Sequence, residues 1–184
     1  MILRNLPQMF TFRFPQTFFY KEVCDRWEPF VRRMKLPFST VCDFMNSQVQ
    51  SVDFPDISLS SETQQQGQYE TAYPAGRELG PELTKALSVR LKLTESYMTY
   101  WILFDQIDWY LKYGSAHKPV FMDPLALTFL NQKGFGMVTF EFRNVIPEGL
   151  TGLPLSFAAQ AADFKTVDFR MRYTRYDVTY EMEK

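Results

Sequence analysis

Leu87-Ser88-Val89-Arg90-Leu91-Lys92-Leu93, followed at once by Thr94-Glu95-Ser96-Tyr97-Met98-Thr99-Tyr100-Trp101, is the stretch whose reading decides the fold. In its first half leucine and valine alternate with Ser88, Arg90 and Lys92. One face of an extended chain is then apolar and the other polar, the mark of a half-buried strand. At Glu95 the period changes. Tyr97, Trp101, Phe104 and Leu111 recur at helical spacing as far as Tyr113, and Gly114 predicts a C-terminal stop. Tyr100, Ile102, Leu103, Ile107 and Trp109 occupy much of the remaining circumference, which predicts burial on more than one side. Such a helix packs on its own sheet and keeps apolar surface for something else.

Further along the chain, Leu125, Leu127 and Phe129 alternate before a turn at Lys133-Gly134. Val138, Phe140 and Phe142 then alternate with Thr139, Glu141 and Arg143, and Val167, Phe169, Met171 and Tyr173 with Asp168, Arg170, Arg172 and Thr174. Each run reads as a strand. Toward the N-terminus, Phe10, Phe12 and Phe14 alternate with Thr11 and Arg13, and Pro15 closes that strand. Between 18 and 34 the spacing of Val23, Trp27, Phe30, Val31 and Met34 is helical, with Pro29 predicted to open a second helical piece. Arg32, Arg33 and Lys35 complement the dipole at its end. A short helix is expected over 38–45 and extended chain over 49–59, broken at Pro55. The polar stretch 60–84 holds Gln64-Gln65-Gln66-Gly67 and Pro74-Ala75-Gly76 and reads as a long loop, of the kind that is either functional or a floppy surface segment. No internal repeat is present.

These runs predict an α+β chain, mainly antiparallel β. It is a β-sandwich or partly closed barrel, with one long flanking helix and a helical insert at about 18–45. A length of 184 residues suits one domain over 1–184. Sheets of this kind leave edges, and exposed edges invite pairing with another chain.

Composition narrows the function. The net charge of −1 lacks the Lys and Arg surplus of a nucleic-acid binder, and near-neutrality lets identical copies pack densely. Eighteen Phe and ten Tyr are more than one small core requires; the surplus serves contacts between proteins or a large aromatic core under long loops. Cys24 and Cys42 are isolated and read as buried thiols. Met1-Ile2-Leu3-Arg4 does not open a signal peptide, and no apolar run reaches the length of a membrane span, so the chain is expected to be made in a reducing cytoplasm without membrane insertion.

Motifs for chemistry are sparse. His117 is the only histidine, which argues against multi-histidine metal sites and a histidine-centred triad. Asp105 and Asp108, three apart on the long helix, are the one carboxylate pair a hydrolase could use; on a helix such residues more commonly form a polar face or ion pairs. No phosphate-binding loop, nucleophile elbow or Cys-x-x-Cys occurs. The reading therefore assigns no catalytic, cofactor or metal residues, and keeps an α+β hydrolase or a β-sandwich module binding peptide or glycan as remote alternatives.

In order, the strand 87–93, the aromatic helix start Tyr97-Met98-Thr99-Tyr100-Trp101, the strand 137–143, the step Asn144-Val145-Ile146-Pro147-Glu148-Gly149-Leu150, a following strand at 152–157 and the closing strand 164–173 resemble the tail tube proteins of contractile-tailed bacteriophages. The likeness lies in the ordered set over the C-terminal hundred residues, and Pro74-Ala75-Gly76-Arg77 also suits the family. The insert at 18–45 departs from the simplest members, which raises the alternative of a neck, terminator or adaptor ring of the same fold. The resemblance implies hexameric rings, stacked into a hollow virion tube and assembled in the host bacterial cytoplasm. Their inner strands would join into a continuous barrel around transiently passing DNA. Sheath, baseplate and neck proteins would be the partners. The lumen face would carry Ser88, Arg90 and Lys92, or else Thr139, Glu141 and Arg143. Contacts between subunits or rings would involve Tyr69, Tyr73, Arg77, Leu79, Trp101 and Trp109.

Overall fold

The computed structural model describes residues 10–34, 37–54, 61–66, 69–74, 86–114, 120–131, 133–153 and 165–181. Strand β1 (Phe10–Arg13) leads into helices α1 (Lys21–Arg33) and α2 (Val41–Gln48), and α2 runs straight into β2 (Val49–Asp53). A hairpin of β3 (Ser61–Gln66) and β4 (Tyr69–Pro74) precedes β5 (Ala86–Lys92). A short 3-10 turn at Glu95–Tyr97 opens the long helix α3 (Met98–Tyr113). Five strands follow among the described residues: β6 (Leu125–Leu130), β7 (Gly136–Arg143), β8 (Ile146–Leu150), β9 (Thr166–Arg172) and β10 (Arg175–Tyr180).

Eight of these strands form two four-stranded sheets, ordered β1-β6-β7-β10 (the first sheet) and β2-β5-β9-β8 (the second), with every neighbouring pair antiparallel. The fold is thus mixed α+β with mainly antiparallel strands. No closed barrel occurs among the described residues. Two residues, Asn144 and Val145, carry the chain from β7 in the first sheet to β8 in the second; Tyr173 and Thr174 carry it back from β9 to β10. Such tight corners hold the inner faces together.

The alternation read from the sequence is what fills the space between. Leu87, Val89 and Leu91 of β5 and Val167, Phe169 and Met171 of β9 are buried, and they meet Phe12, Leu125, Leu127 and Phe142 of the first sheet in one cluster. Burying each such side chain contributes about 1.5–3 kcal/mol before entropy is counted. Phe54, just past β2, lays its ring against Phe129, Phe140 and Phe142 of the opposite sheet.

Several expectations are corrected. Pro29 does not split the helix at 18–34: α1 is continuous through it, and one missing N–H donor does not outweigh the burial of Val23 and Val31 on either side. The second helix starts at Val41 rather than at 38, because the Thr40 side chain accepts from the Asp43 N–H and sets the cap. Within the supposed loop at 60–84 the backbone pairs from Ser61↔Pro74 to Gln66↔Tyr69. Residues 146–150, expected only as part of the step after the strand 137–143, form β8 at the edge of the second sheet, with a bulge between Pro147 and Gly149 that accommodates the proline. The following strand expected at 152–157 lies largely outside the described residues, while β10 went unread.

The long helix is also not buried all round. Its core face is Met98, Thr99, Ile102, Leu103 and Gln106, whereas Trp101, Phe104 and Leu111 are exposed. It ends at Gly114 without a left-handed residue: Gly114 is extended (φ −71, ψ 129) and its N–H bonds the Tyr110 carbonyl at 2.7 Å. Glycine is needed there for another reason. A Cβ would stand 2.5 Å from that same carbonyl oxygen.

Candidate functional site

The features available for function are the two polar sheet faces, the sheet edges and the surface of the helices. On the second sheet, Ser88, Arg90 and Lys92 alternate away from the core. Arg90 lies opposite Asp168 in the strand register, and its Nε and Nη2 donate to the two carboxylate oxygens at 2.7 and 3.3 Å. That bidentate pair raises the Arg90 pKa further, first through the hydrogen bond and then through the charge. Further along the same face, past Ser88 and Arg170, Arg172 donates to Glu148 at 2.6 Å. An open groove of about 730 Å³ runs over this face, with Asp53, Ser88, Arg170 and Arg172 among its walls.

On the first sheet Thr139, Glu141 and Arg143 form the corresponding face of β7. Thr139 and Thr128 share a hydrogen bond of 3.0 Å across the strands. Arg143 bonds Glu141 at 3.2 Å, and its Nε sits 2.6 Å from the Asp177 carboxylate, close enough for an ion pair though not aligned as a hydrogen bond. The two alternative sets for the lumen thus lie on different sheets, each on the face away from the shared core. Both faces carry mixed charge. On the second sheet Arg90 and Asp168 are opposed directly. On the first, Arg143 faces Arg175 and Glu141 faces Asp177 in the register, and Arg143 is balanced by Glu141 on its own strand and by Asp177 on the diagonal.

Among the described residues, β1 and β10 are the outermost strands of the first sheet, and β2 and β8 of the second. Because every pair alternates, β1 runs opposite to β10 and β2 opposite to β8. An outer strand of one copy can therefore meet the other outer strand of the next copy antiparallel.

The remaining candidates are distributed unevenly. Trp101 is 44% exposed on α3. Trp109 is half-buried and stacks on Tyr20 with ring centres 3.6 Å apart, so it joins α3 to the start of α1. Burial pushes the Tyr20 hydroxyl up to about 12, with the Tyr110 hydroxyl adding to it. Tyr69 and Tyr73 lie on β4, whereas Arg77, Leu79 and His117 lie outside the described residues. The pair Asp105 and Asp108 is bound up in ion pairs: Asp105 accepts from Arg26 at 2.9 Å and from the Trp27 indole at 2.7 Å, and Asp108 pairs with Lys112. Among the described residues no cluster of three or more His, Cys, Asp or Glu could hold a metal, and no helix is long and apolar enough to cross a membrane.

Missed from sequence was Gln106, fully buried on α3. Its amide donates to the Phe18 carbonyl at 3.1 Å and accepts from the Tyr20 N–H at 3.2 Å, fastening the insert to the long helix. A glutamine in line with Ile102 and Leu103 on a largely apolar helix is the signal that could have found it.

No family model matches the chain, nor does any curated protein. Solved structures do. A chain of the anti-feeding prophage baseplate, solved with six-fold symmetrisation, superposes with a TM-score of 0.57 at 11% identity, covering 98% of each chain. The tube-terminating cap of that particle matches at 0.51 and 12% identity over 72% of this chain and 80% of the other. A chain from the sheath–tube complex of an extracellular contractile injection system, in its extended state, matches at 0.51 and 14% identity over 78% and 84%. The chain has the tail-tube-like fold shared by these components.

Proposed function

We propose that this chain is a structural, non-catalytic ring-forming subunit of a contractile tail-like assembly. Six copies close into a ring by pairing outer strands, and rings stack into a hollow tube through which DNA passes transiently. The observation that carries the reading is the antiparallel alternation in both four-stranded sheets, which leaves outer strands that a neighbouring copy can complete. Closing the sheet around a ring removes the exposed edges that a lone copy carries. Mixed-charge faces suit a lumen that should not grip phosphates. Sheath, baseplate and neck proteins are the partners of such a tube, assembled in the host cytoplasm and carried in the particle, and 1–184 acts as one tail-tube-like domain.

A second reading, a specialised ring such as a baseplate, neck or terminator component, is favoured by one observation. The match to the baseplate chain extends over 98% of both chains, including the helical insert, while the match to the sheath–tube complex spans 78% of this one. Electron microscopy of the purified protein separates the two. Long tubes support the repeating subunit, single closed rings support the specialised one, and a monodisperse monomer refutes both.

A further inference from the structure

Two apolar surfaces are left over when the core, the sheet faces and the edges are accounted for. One is a platform on the helices. Trp101, Phe104 and Leu111 of α3 are exposed, as are Phe30 and Met34 at the end of α1. Asp105 ties the two halves together, since it sits next to Phe104 and accepts from Trp27, whose ring packs on Phe30 at 5.5 Å. A hollow of about 170 Å³ lies between the helices, with Val23 and Trp109 in its lining and the Arg26–Asp105 and Asp108–Lys112 pairs at its rim. These charges neutralise one another within the surface. Five large apolar side chains exposed on one pair of helices make the kind of patch that marks an interaction site.

The other surface is the tip of the β6–β7 hairpin, where Phe129, Phe135, Met137 and Tyr180 are exposed. The turn is rigidly built: the Asn131 side chain accepts from the Lys133 and Phe135 N–H groups, and Gly134 holds a φ of +85 that a side chain would strain. Phe135 is thus presented as a fixed knob, 55% exposed.

These surfaces lie at opposite ends of the first sheet. The helices attach at the Arg13–Ala126 end, where Phe14 N–H bonds Asn46 of α2 and Phe18 bonds Gln106 of α3. The tip lies at the far end of β6, about 17 Å away.

We infer that the hairpin tip of one copy docks on the α1–α3 platform of the next, forming the axial contact between successive rings. A platform meeting its own twin would give a two-fold dimer and stop there. A knob and a hollow at opposite ends instead form a heterologous contact that repeats in one direction. Each interior copy then covers both of its apolar surfaces with copies of itself. With a handful of apolar side chains on each side, against the roughly 20–30 residues a side of a self-sufficient interface, the contact adds to ring closure rather than replacing it. The inference rests on the ring-and-stack reading above.

Two charged variants test it: Phe135→Asp with Met137→Asp at the tip, and Trp101→Asp with Phe104→Asp on the platform. Every altered residue is exposed, and formation of a ring by each variant is the control for folding. Sedimentation should show the wild type as multi-ring stacks and each variant alone as single rings. Mixing the variants should give particles of two rings and no more, since only one functional tip–platform pairing remains. Single rings in the mixture, or stacks from either variant alone, overturn the tip–platform contact while leaving ring formation intact. A wild type that never forms rings overturns both.

Discussion

Replacing Gln106 by Leu should loosen the joint between the insert and the long helix, at a cost that follows from its two hydrogen bonds. The side chain is fully buried, donates to the Phe18 carbonyl and accepts from the Tyr20 N–H. Leucine fills similar space but satisfies neither backbone group. Each unsatisfied buried polar group costs about 1–3 kcal/mol and the added apolar burial returns about 1 kcal/mol, so with two groups the net loss should be about 1–5 kcal/mol. For a chain of this length that lowers the melting temperature by about 2–20 °C. Guanidinium unfolding followed by tryptophan fluorescence is the suited assay, because all three tryptophans, Trp27, Trp101 and Trp109, lie on the two helices concerned. Gln106→Glu supplies the control. Its carboxylate would face the Phe18 carbonyl, while its protonated form can donate to it. Its folded pKa is therefore raised, and stability should be greatest below the ordinary carboxylate pKa and fall as pH rises through the folded value. A loss under about 1 kcal/mol for the leucine variant, with no pH dependence in the glutamate variant, would refute the reasoning.

Other expectations follow from single contacts. Gly114→Ala should cost about 1–3 kcal/mol in thermal denaturation, because its Cβ would collide with the Tyr110 carbonyl at 2.5 Å; an unchanged melting temperature would mean the helix end yields freely. The Arg90–Asp168 pair, exposed despite its bidentate geometry, should show only weak coupling in a double-mutant cycle, shrinking as salt is added; strong, salt-independent coupling would contradict this. Cys42 is buried with its Sγ against the Phe14 and Pro15 carbonyls, and burial, ahead of the Asp43 charge, pushes its thiol up to about 11. Tyr173 is pushed up to about 12, mainly by burial. Both groups hold their protons in the folded state after the unfolded chain has lost them. Stability should therefore fall as pH rises from about 9 toward 12, by at most about 1.4 kcal/mol per pH unit for each group. Flat stability over that range in chemical denaturation would contradict this.

Much of the fold was legible because strand alternation and burial are local consequences of one another. Leu87, Val89, Leu91, Val167, Phe169 and Met171 all point where the period of two places them. Helix faces were harder. Trp101, Phe104 and Leu111 share helical spacing with core residues, and only the fold reveals that Ile102, Leu103 and Gln106 turn inward instead. β10 was missed because Arg175-Tyr176-Asp177-Val178 has a half-exposed apolar face, and the hairpin at 61–74 because its strands are polar. As for the candidate site, polar faces could be read but not assigned to sheets, since alternation separates two faces without saying what covers either. Pairing of distant strands settles that, and it is not a local property.

Amide hydrogen exchange at the outer strands β1, β2, β8 and β10, followed as the protein is diluted, tests the central claim most directly. If neighbouring copies complete these sheets, the outward N–H groups of one opposed pair, β1 with β10 or β2 with β8, should be protected in the concentrated protein and exchange freely once it is dispersed. Protection that stays the same at every concentration would mean that no neighbour completes them, and the assembly account would fail.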